Sequence, residues 1–500
     1  MILFLKRSTN LQKKINPLFF VALFTEKMLK EHIFNRFQSY FTFEATPSQC
    51  AAMAKIAEFM AAGGPMPLFL LRGFAGTGKT SLMQAFVQSL QSLHIKSVLL
   101  APTGRAAKVL SAYVGAPAHT IHKRIYRQQG GDAFSAFQLN DNLYKDTLFI
   151  VDEASMIAND NFGSAHFGSG RLLDDLLRFV YSGENCRLLL LGDTAQLPPV
   201  GIAMSPALEK AELEAHGASV FESVLTDVVR QQEGGGILAN ATMLRGLLDA
   251  AEDIEVYPQL HTQGYPDVQN ISGADLLEEL NYCYDHFGLE ETLVVCRSNK
   301  RANLFNQGIR NSVLYREDEL TSGDYLLVMK NNYHWIKEHK EINFIANGDI
   351  ARVLRVQKHH DLYGHRFADL SCELVDYRNV EVDVRVNLDS LQSAGAGLSQ
   401  QEQETFLNEV LQDYPEVQSK RKQYALVREN PFYNALQVKF AYAMTCHKAQ
   451  GGQWKAVFID LGYFTEEHLG REMLRWLYTA VTRATERLYF VNFPKAFFGD

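Results

Sequence analysis

The chain has 500 residues, of which 47% are hydrophobic and 21% are charged. This is the composition of an ordinary globular protein, with enough length for about three domains. The formal net charge of -8 gives no sign of a nucleic-acid partner but does not exclude one, because binding needs a local basic groove rather than a basic total. Six scattered cysteines form no C-x-x-C pair, which argues against a zinc site or a disulfide framework and fits a reducing cytoplasm.

Residues 1–42 are predicted to be an N-terminal extension that the fold does not need. A short apolar run at 15–24 follows several basic residues and can be read as a signal peptide. However, Asn16 and Pro17 interrupt its start, no A-x-A cleavage site follows, and the run is too short to span a bilayer. Met28 is an alternative start, and a weak signal or anchor is the competing interpretation.

The segment 68–81 is the most informative part of the chain. An apolar run is followed by G-x-x-x-x-G-K-T and then by helical periodicity, which is the context expected of a P-loop. We expect Lys79 to reach the β- and γ-phosphates of ATP and Thr80 to ligate Mg²⁺. A chance glycine-rich turn would not explain the strand, the lysine and the helix together. The residues predicted to surround the phosphates are Gly73, Ala75, Gly76, Thr77, Gly78, Lys79, Thr80 and Ser81.

Strand-like apolar runs alternate with helical patterns through the first half, at 68–71, 98–101, 148–151 and 188–191. Such near-continuous apolar strands predict a parallel sheet covered on both faces, with ligands at the carboxyl ends of its strands. The pattern recurs at 293–296, 456–460 and 488–492. Between these later runs, 321–386 changes to short alternating β runs and glycine turns, which predict a small inserted barrel.

Two strand ends carry candidate catalytic groups. Asp152 and Glu153 follow the run 148–151, and a P-loop ATPase needs one carboxylate near Mg²⁺ and another to orient water. Gln196 follows the run 188–191 and is placed to contact the γ-phosphate through a neutral amide. A solvated acidic pair and a proline-containing turn are the alternatives, and the P-loop upstream disfavours the first of them.

From about residue 43 to residue 495, the order and spacing of these motifs resemble the RecD-like and Dda-like branch of superfamily 1 DNA helicases. Thr46 to Gln49 resembles the adenine-reading motif of that family. The other matching segments are 101–107 and 120–122, which resemble loops that grip single-stranded DNA; 229–231 and 478–484, which resemble motifs whose arginines contact the γ-phosphate; and 445–451, which resembles the motif linking nucleotide state to DNA.

The resemblance implies an α/β fold with two RecA-like P-loop parallel-sheet domains, a small β-hairpin insertion and an inserted small SH3-like β-barrel. The implied boundaries are 43–225 for the first RecA-like domain, with a pin at about 123–147; 226–320 and 431–500 for the second; and 321–430 for the barrel with its helical segment. In the pin, Phe134, Phe137 or Tyr144 could face a DNA junction, although packing is the more common role of such rings.

The resemblance also implies a set of site residues. The catalytic set is Lys79, Glu153, Gln196, Arg230 and Arg483, with Gln49 reading adenine and with Mg²⁺ held by Thr80 and Asp152. The DNA-binding set is Pro102, Thr103, Gly104, Arg105, Thr120, His122, Pro198, Thr445, His447 and Lys448. The chain departs from the family at Gln453, where a glutamate that can bind ribose is usual; glutamine can still hydrogen-bond a ribose but carries no charge.

These observations predict an ATP-dependent DNA helicase that acts as a monomer on single-stranded and forked duplex DNA, in the 5′-to-3′ direction of the resembled branch, without a membrane. A translocase that strips proteins from DNA without unwinding it is the nearest alternative. A DNA clamp switched by ATP and a P-loop kinase of small molecules are more distant ones, and the kinase leaves the second α/β half unexplained.

Overall fold

A computed structural model describes residues 17–128, 137–159, 168–228, 235–250, 256–336, 342, 344–377, 380–393, 395 and 397–499. The α-helices are α1 (Pro17–Tyr40), α2 (Pro47–Ala61), α3 (Lys79–Ser92), α4 (Gly104–Val114), α5 (Ile121–Ile125), α6 (Leu172–Ser182), α7 (Lys210–Ala215), α8 (Gly236–Ala250), α9 (Leu276–Phe287), α10 (Asn299–Ser312), α11 (Asp389–Gln392), α12 (Gln400–Leu411), α13 (Lys420–Glu429), α14 (Cys446–Ala449) and α15 (Arg471–Val481).

The β-strands are β1 (Pro67–Gly73), β2 (Lys96–Ala101), β3 (Ala118–Thr120), β4 (Tyr126–Gln128), β5 (Phe137–Leu139), β6 (Thr147–Val151), β7 (Arg187–Gly192), β8 (Ser219–Leu225), β9 (Val268–Ile271), β10 (Thr292–Cys296), β11 (Tyr325–Val328), β12 (Ile350–Leu362), β13 (His365–Leu374), β14 (Val380–Asn387), β15 (Leu436–Phe440), β16 (Ala443–Thr445), β17 (Trp454–Asp460) and β18 (Ala484–Val491). In the described part of the chain, no helix is both long enough and apolar enough to cross a bilayer.

Two parallel sheets form the frame of the molecule. The first has the strand order β3-β2-β6-β7-β1-β8, and the second has the order β16-β10-β17-β18-β9. Every residue of β6 and of β10 is buried, as expected of parallel strands covered by helices on both faces. The predicted pair of RecA-like α/β domains is thereby confirmed; we call them the first and the second domain.

The inserted barrel is closed by β11, β12, β13, β14 and β15. Its last strand, Leu436–Phe440, pairs with β11 and lies beyond residue 430. The predicted barrel boundary at 430 is therefore too early, because that strand is short and directly precedes strand β16 of the second domain. Helices α12 and α13 pack beside the barrel through Phe406, Val410 and Val427.

The predicted hairpin pin is present as β4 and β5, which pair antiparallel from Tyr126 with Leu139 to Gln128 with Phe137. The predicted turn at Gly130 and Gly131, and Phe134, lie outside the described residues. Phe137 is buried and its ring centroid lies 4.5 Å from that of Tyr333, in the segment that follows β11. The hairpin is thus attached to the inserted barrel.

Helix α1 contributes to the core of the first domain. Ile33 and Phe37 are buried, and the Phe37 ring centroid lies 5.0 Å from that of Phe86 on α3. This packing argues against the expectation that residues up to 42 are dispensable. The sequence pattern drew attention to the apolar run at 15–24 and not to the later buried face of the same helix.

We predict that Phe37→Ala lowers the stability of the first domain by about 3–5 kcal/mol, because a fully buried phenyl ring is replaced by a cavity. Thermal or urea unfolding of the full chain measures the effect as a shift in the unfolding transition of the first domain. Phe43→Ala is the matched control, since Phe43 is 43% exposed and should change little. Equal behaviour of the two variants would contradict the packing role of α1.

Candidate functional site

The P-loop connects β1 to α3 and has the backbone geometry its glycines permit. Gly76 and Gly78 have φ angles of 75° and 76°, in the left-handed region that favours glycine. A Cβ atom on Gly76 would lie 2.5 Å from Leu238 Cδ1 on α8. The Lys79 ammonium donates to the carbonyl oxygens of Gly73 at 2.5 Å and Phe74 at 2.9 Å. The loop therefore closes around its own lysine and touches the second domain.

The side chain of Gln49 hydrogen-bonds the P-loop. Its side-chain oxygen accepts from the Thr46 N–H at 3.0 Å, which completes the N-terminal cap of α2, and its amide donates to Thr77 O at 3.0 Å. The side chain is buried. The structure therefore places Gln49 against the P-loop with both ends of its amide engaged, and adenine reading stays a prediction.

The carboxylates of Asp152 and Glu153 follow the buried strand β6. The Glu153 N–H donates to Asp152 Oδ1 at 2.8 Å, and Glu153 has a left-handed φ of 54°. Burial raises the pKa of Glu153 to about 7, with the charge of Arg483 opposing the shift and that of Asp152 adding to it. Burial also raises the pKa of Asp152, whereas the hydrogen bond from the Glu153 N–H and the charge of Lys79 lower it. The predicted pair thus lies within electrostatic reach of the P-loop lysine.

Strand β7 supplies a carboxylate that the sequence analysis missed. Asp193 is buried, accepts from the Ala195 N–H at 2.9 Å and lies 3.8 Å from the Lys79 ammonium. Gln196, three residues later, is buried as well, and its amide oxygen lies 3.4 Å from the Gln450 amide nitrogen. The position of Asp193 at a strand end next to Gln196 was the signal that could have identified it.

Helix α15 brings the second domain to this edge. The Tyr478 hydroxyl accepts from the Ala75 N–H at 2.8 Å and donates to Asp193 Oδ2 at 2.7 Å. Thr479 Oγ1 accepts from the Leu197 N–H at 2.8 Å. Neither side chain was among the predicted site residues, although both lie in the segment 478–484 that carries the predicted arginine.

Arg483 is buried at the same seam. Its guanidinium donates to Thr479 O and Gly452 O, both at 3.0 Å, and its positive charge lowers the pKa of Glu153. The structure thus brings Arg483 near the predicted base. Arg230, the other predicted arginine, lies outside the described residues.

Two of the hydroxyls predicted to bind DNA serve as helix caps. Thr103 Oγ1 accepts from the Ala106 N–H at the start of α4, and Thr120 Oγ1 accepts from the Lys123 N–H at the start of α5, both at 3.2 Å. Thr103 also faces the second domain, since a Cβ atom on Gly451 would lie 3.5 Å from its Oγ1. The predicted DNA loops of the two domains therefore meet.

Three side chains in or beside that DNA set have other partners. Arg105 lies over the Trp454 ring with 4.3 Å between its guanidinium carbon and the centroid, and donates to Gln453 O at 3.2 Å. Lys448 donates to Asn347 Oδ1, at the end of the barrel. Gln453 accepts from the Tyr113 hydroxyl at 2.9 Å, so it links α4 to the second domain.

The remaining predicted positions are distributed around this seam. Pro102 and Thr445 are half-buried at strand ends, and Pro198 is half-buried in the loop after β7. Gly104 packs against Asp349 of the barrel, and His447 is exposed. Burial lowers the pKa of His122 to about 4, so this histidine is neutral near pH 7.

Tyr144 is packed edge-on against Phe149, with 5.4 Å between ring centroids. Packing therefore accounts for both Phe137 and Tyr144.

The geometry defines a class of protein: a P-loop nucleotide-binding protein in which the carboxyl edge of the first RecA-like sheet meets residues that precede β17 and β18 of the second. A family model of the AAA domain matches residues 44–259, and a model of the UvrD-like helicase C-terminal domain matches residues 440–491.

Relatives of known name agree with this class. The chain is 28% identical over 433 residues to the ATP-dependent RecD2 DNA helicase of Deinococcus radiodurans, covering 84% of this chain and 46% of the relative. It is 23% identical over 308 residues to the ATP-dependent DNA helicase dda of Enterobacteria phage T4, covering 57% and 62%. The chain thus spans about half the length of the RecD2 relative.

Among solved structures, a Pif1 helicase from Bacteroides in complex with ADP-AlF3 and single-stranded DNA covers 92% of this chain and 95% of its own, with 14% identity and a TM-score of 0.46. These sequence relatives confirm the predicted resemblance to the RecD-like and Dda-like branch of superfamily 1 DNA helicases.

We predict that the hydrolysis of ATP by this chain falls about tenfold for each pH unit below 7. As the predicted base, Glu153 would have to be ionised to accept a proton, and its pKa is raised to about 7, so the ionised form is lost as pH falls through that value. The measurement is kcat from pH 5.5 to pH 8.5 at saturating ATP.

Arg483→Gln provides the matched comparison. Because the charge of Arg483 lowers the pKa of Glu153, its removal should move the midpoint of the pH profile upward, whatever happens to the absolute rate. A midpoint that stays in place would show that the titrating group is not Glu153 beside Arg483.

Proposed function

We propose that this chain is an ATP-dependent DNA helicase that couples ATP hydrolysis to translocation on single-stranded DNA and to duplex unwinding. The observation that carries the proposal is the contact of Tyr478, on the second domain, with both Ala75 of the P-loop and Asp193 of the first domain. A nucleotide held by the P-loop would lie at the seam of two domains, so its hydrolysis can change their spacing.

The residues fit a nucleotide and its metal ion. The positive φ angles at Gly76 and Gly78 leave the backbone free to close around phosphate oxygens, and α3 directs its N-terminus at the loop. Thr80 and Asp152 would hold Mg²⁺, which would offset phosphate charge when bound.

In the proposed reaction, Glu153 orients a water molecule and accepts its proton as the water oxygen attacks the γ-phosphorus. The bond between that phosphorus and the β–γ bridging oxygen breaks, and ADP leaves. Lys79, Arg230 and Arg483 offset charge on the transferred group, and arginines in this role can contribute on the order of 10³–10⁵ in rate. Gln196 contacts the same group through its amide.

For the DNA strand, Thr103, Gly104 and Thr120 would serve on the first domain, and Thr445, His447 and Lys448 on the second. Strand-end hydroxyls and amides suit phosphate contacts without sequence reading. The names of the RecD2 and Dda relatives support DNA as the substrate class. The 5′-to-3′ direction, forked duplex substrates and a monomeric active form are parts of the same proposal.

We predict that Lys79→Ala lowers DNA-stimulated ATP hydrolysis by about a hundredfold or more, because the P-loop lysine contacts the transferred phosphoryl group. Phosphate release with and without a dT oligonucleotide measures the effect. Lys30→Ala is the control, since the exposed Lys30 pairs with Glu58 on the surface at 3.1 Å and the variant should behave like wild type. Retained hydrolysis in Lys79→Ala would refute the site.

A second prediction separates unwinding from translocation alone, which matters because the described pin aromatics Phe137 and Tyr144 are both packed. Residues 129–136 are replaced by Asn-Gly, which keeps β4, β5 and the buried Phe137. Unwinding of a fork with a 5′ tail should fall about tenfold or more while DNA-stimulated hydrolysis persists. Unwinding at the wild-type rate would favour another wedge, and a wild-type chain that translocates without unwinding would favour the translocase.

A further inference from the structure

Tyr478 belongs to the second domain, and its hydroxyl hydrogen-bonds two groups of the first domain. It accepts from the Ala75 N–H at 2.8 Å and donates to Asp193 Oδ2 at 2.7 Å, while the side chain is 1% exposed. A tyrosine hydroxyl has one proton to donate and can accept at the same time, so both bonds form together. Ala75 is part of the P-loop, and Asp193 lies 3.8 Å from the Lys79 ammonium.

These contacts affect which group pairs with the Lys79 ammonium. Asp193 is a buried carboxylate with two oxygens, one taken by the Ala195 N–H and the other by Tyr478. If the Tyr478 hydroxyl is withdrawn, the second oxygen loses its donor, and the nearby ammonium of Lys79 becomes the available replacement. A tighter pair between Asp193 and Lys79 would compete with a phosphate for that ammonium.

We propose that Tyr478 is a positioning residue that sets the P-loop for turnover only when the second domain is docked. The hydroxyl orients the Ala75 N–H and occupies Asp193, which leaves Lys79 to the phosphates. This inference rests on the proposed ATP hydrolysis and assigns to one hydroxyl the link between domain closure and the chemistry of the loop.

The neighbouring residue provides an internal comparison. Thr479 also crosses the seam, because its Oγ1 accepts from the Leu197 N–H at 2.8 Å, but within the described residues its side chain hydrogen-bonds only Leu197 and Arg475, not the P-loop or Asp193. A residue that only held the domains together would behave like Thr479. A residue that acts through Asp193 would show a dependence on Asp193 that Thr479 does not share.

The experiment measures kcat and KM for ATP, with and without a dT oligonucleotide, in wild type, Tyr478→Phe and Thr479→Val. Tyr478→Phe keeps the buried ring and removes the hydroxyl, so kcat with DNA should fall about tenfold and the ratio of stimulated to basal rate should shrink, while the chain stays folded with a melting temperature lowered by a few degrees. Thr479→Val should change kcat less than Tyr478→Phe does.

Each variant is then combined with Asp193→Asn in a double-mutant cycle. The Tyr478→Phe effect should be largely absent in the Asp193→Asn background, whereas the Thr479→Val effect should persist, since interacting pairs are non-additive and separate ones are additive. Wild-type stimulation in Tyr478→Phe, or the same coupling for Thr479→Val, would overturn the proposal. If Tyr478→Phe is too unstable to assay, retained DNA stimulation in Asp193→Asn alone would also overturn it.

The wild-type measurement separates the two levels of inference. A wild-type chain with no DNA-stimulated hydrolysis would refute the proposed function. A wild-type chain that is stimulated, beside a Tyr478→Phe variant that is stimulated equally, would refute only the role of this hydroxyl.

Discussion

The constraint on which the structure depends is the direction of its strands. In a parallel sheet every strand presents its carboxyl end at one edge, and the loops that follow carry the polar groups. The first sheet places the P-loop, Asp152 and Asp193 at such an edge. The second domain meets this edge through α15, which precedes strand β18 and therefore lies near the amino end of that strand. Chemistry at the seam is therefore a result of topology before it is a result of any one side chain.

The inserted barrel is tied to this seam and is more than an appendage. Asp376, at the end of the barrel, has both carboxylate oxygens buried without a hydrogen-bond donor among the described residues, and Arg105 of α4 lies 4.0 Å away. Lys108, one turn along α4, donates to Val375 O at 2.8 Å. Because Arg105 also contacts Trp454, one guanidinium joins the first domain, the second domain and the barrel. A shift of the barrel away from α4 would leave Asp376 without its nearest positive charge.

The elements with strong local signals were predictable from the sequence. The long apolar runs at 68–71, 148–151 and 293–296 are strands, and the glycine pattern of the P-loop has the backbone it requires. Strand β3 and strand β16 were not predicted, since each has three residues and depends on a neighbour for its pairing.

The site could be predicted only in part, for a physical reason. The P-loop and strand-end patterns pointed to Lys79 and Glu153, and the family resemblance pointed to Arg483, because each lies in a recognisable local motif. Neither signal located Tyr478 or Asp193 as partners, because their contact joins segments 285 residues apart. The same limit applies to Arg105 and Lys448, for which the family resemblance implied DNA but whose described partners belong to other parts of the chain.

The distance along the chain between Ala75 and Tyr478 has a consequence for synthesis. The two residues are 403 positions apart. A ribosome adds about 5–20 residues per second, so after it has made the P-loop it needs roughly 20–80 s more to reach Tyr478. During that interval the nascent first domain must keep the edge that carries Asp193 without its later cover. It therefore has to fold as a unit that tolerates water there, or to be shielded by a chaperone until the chain is complete.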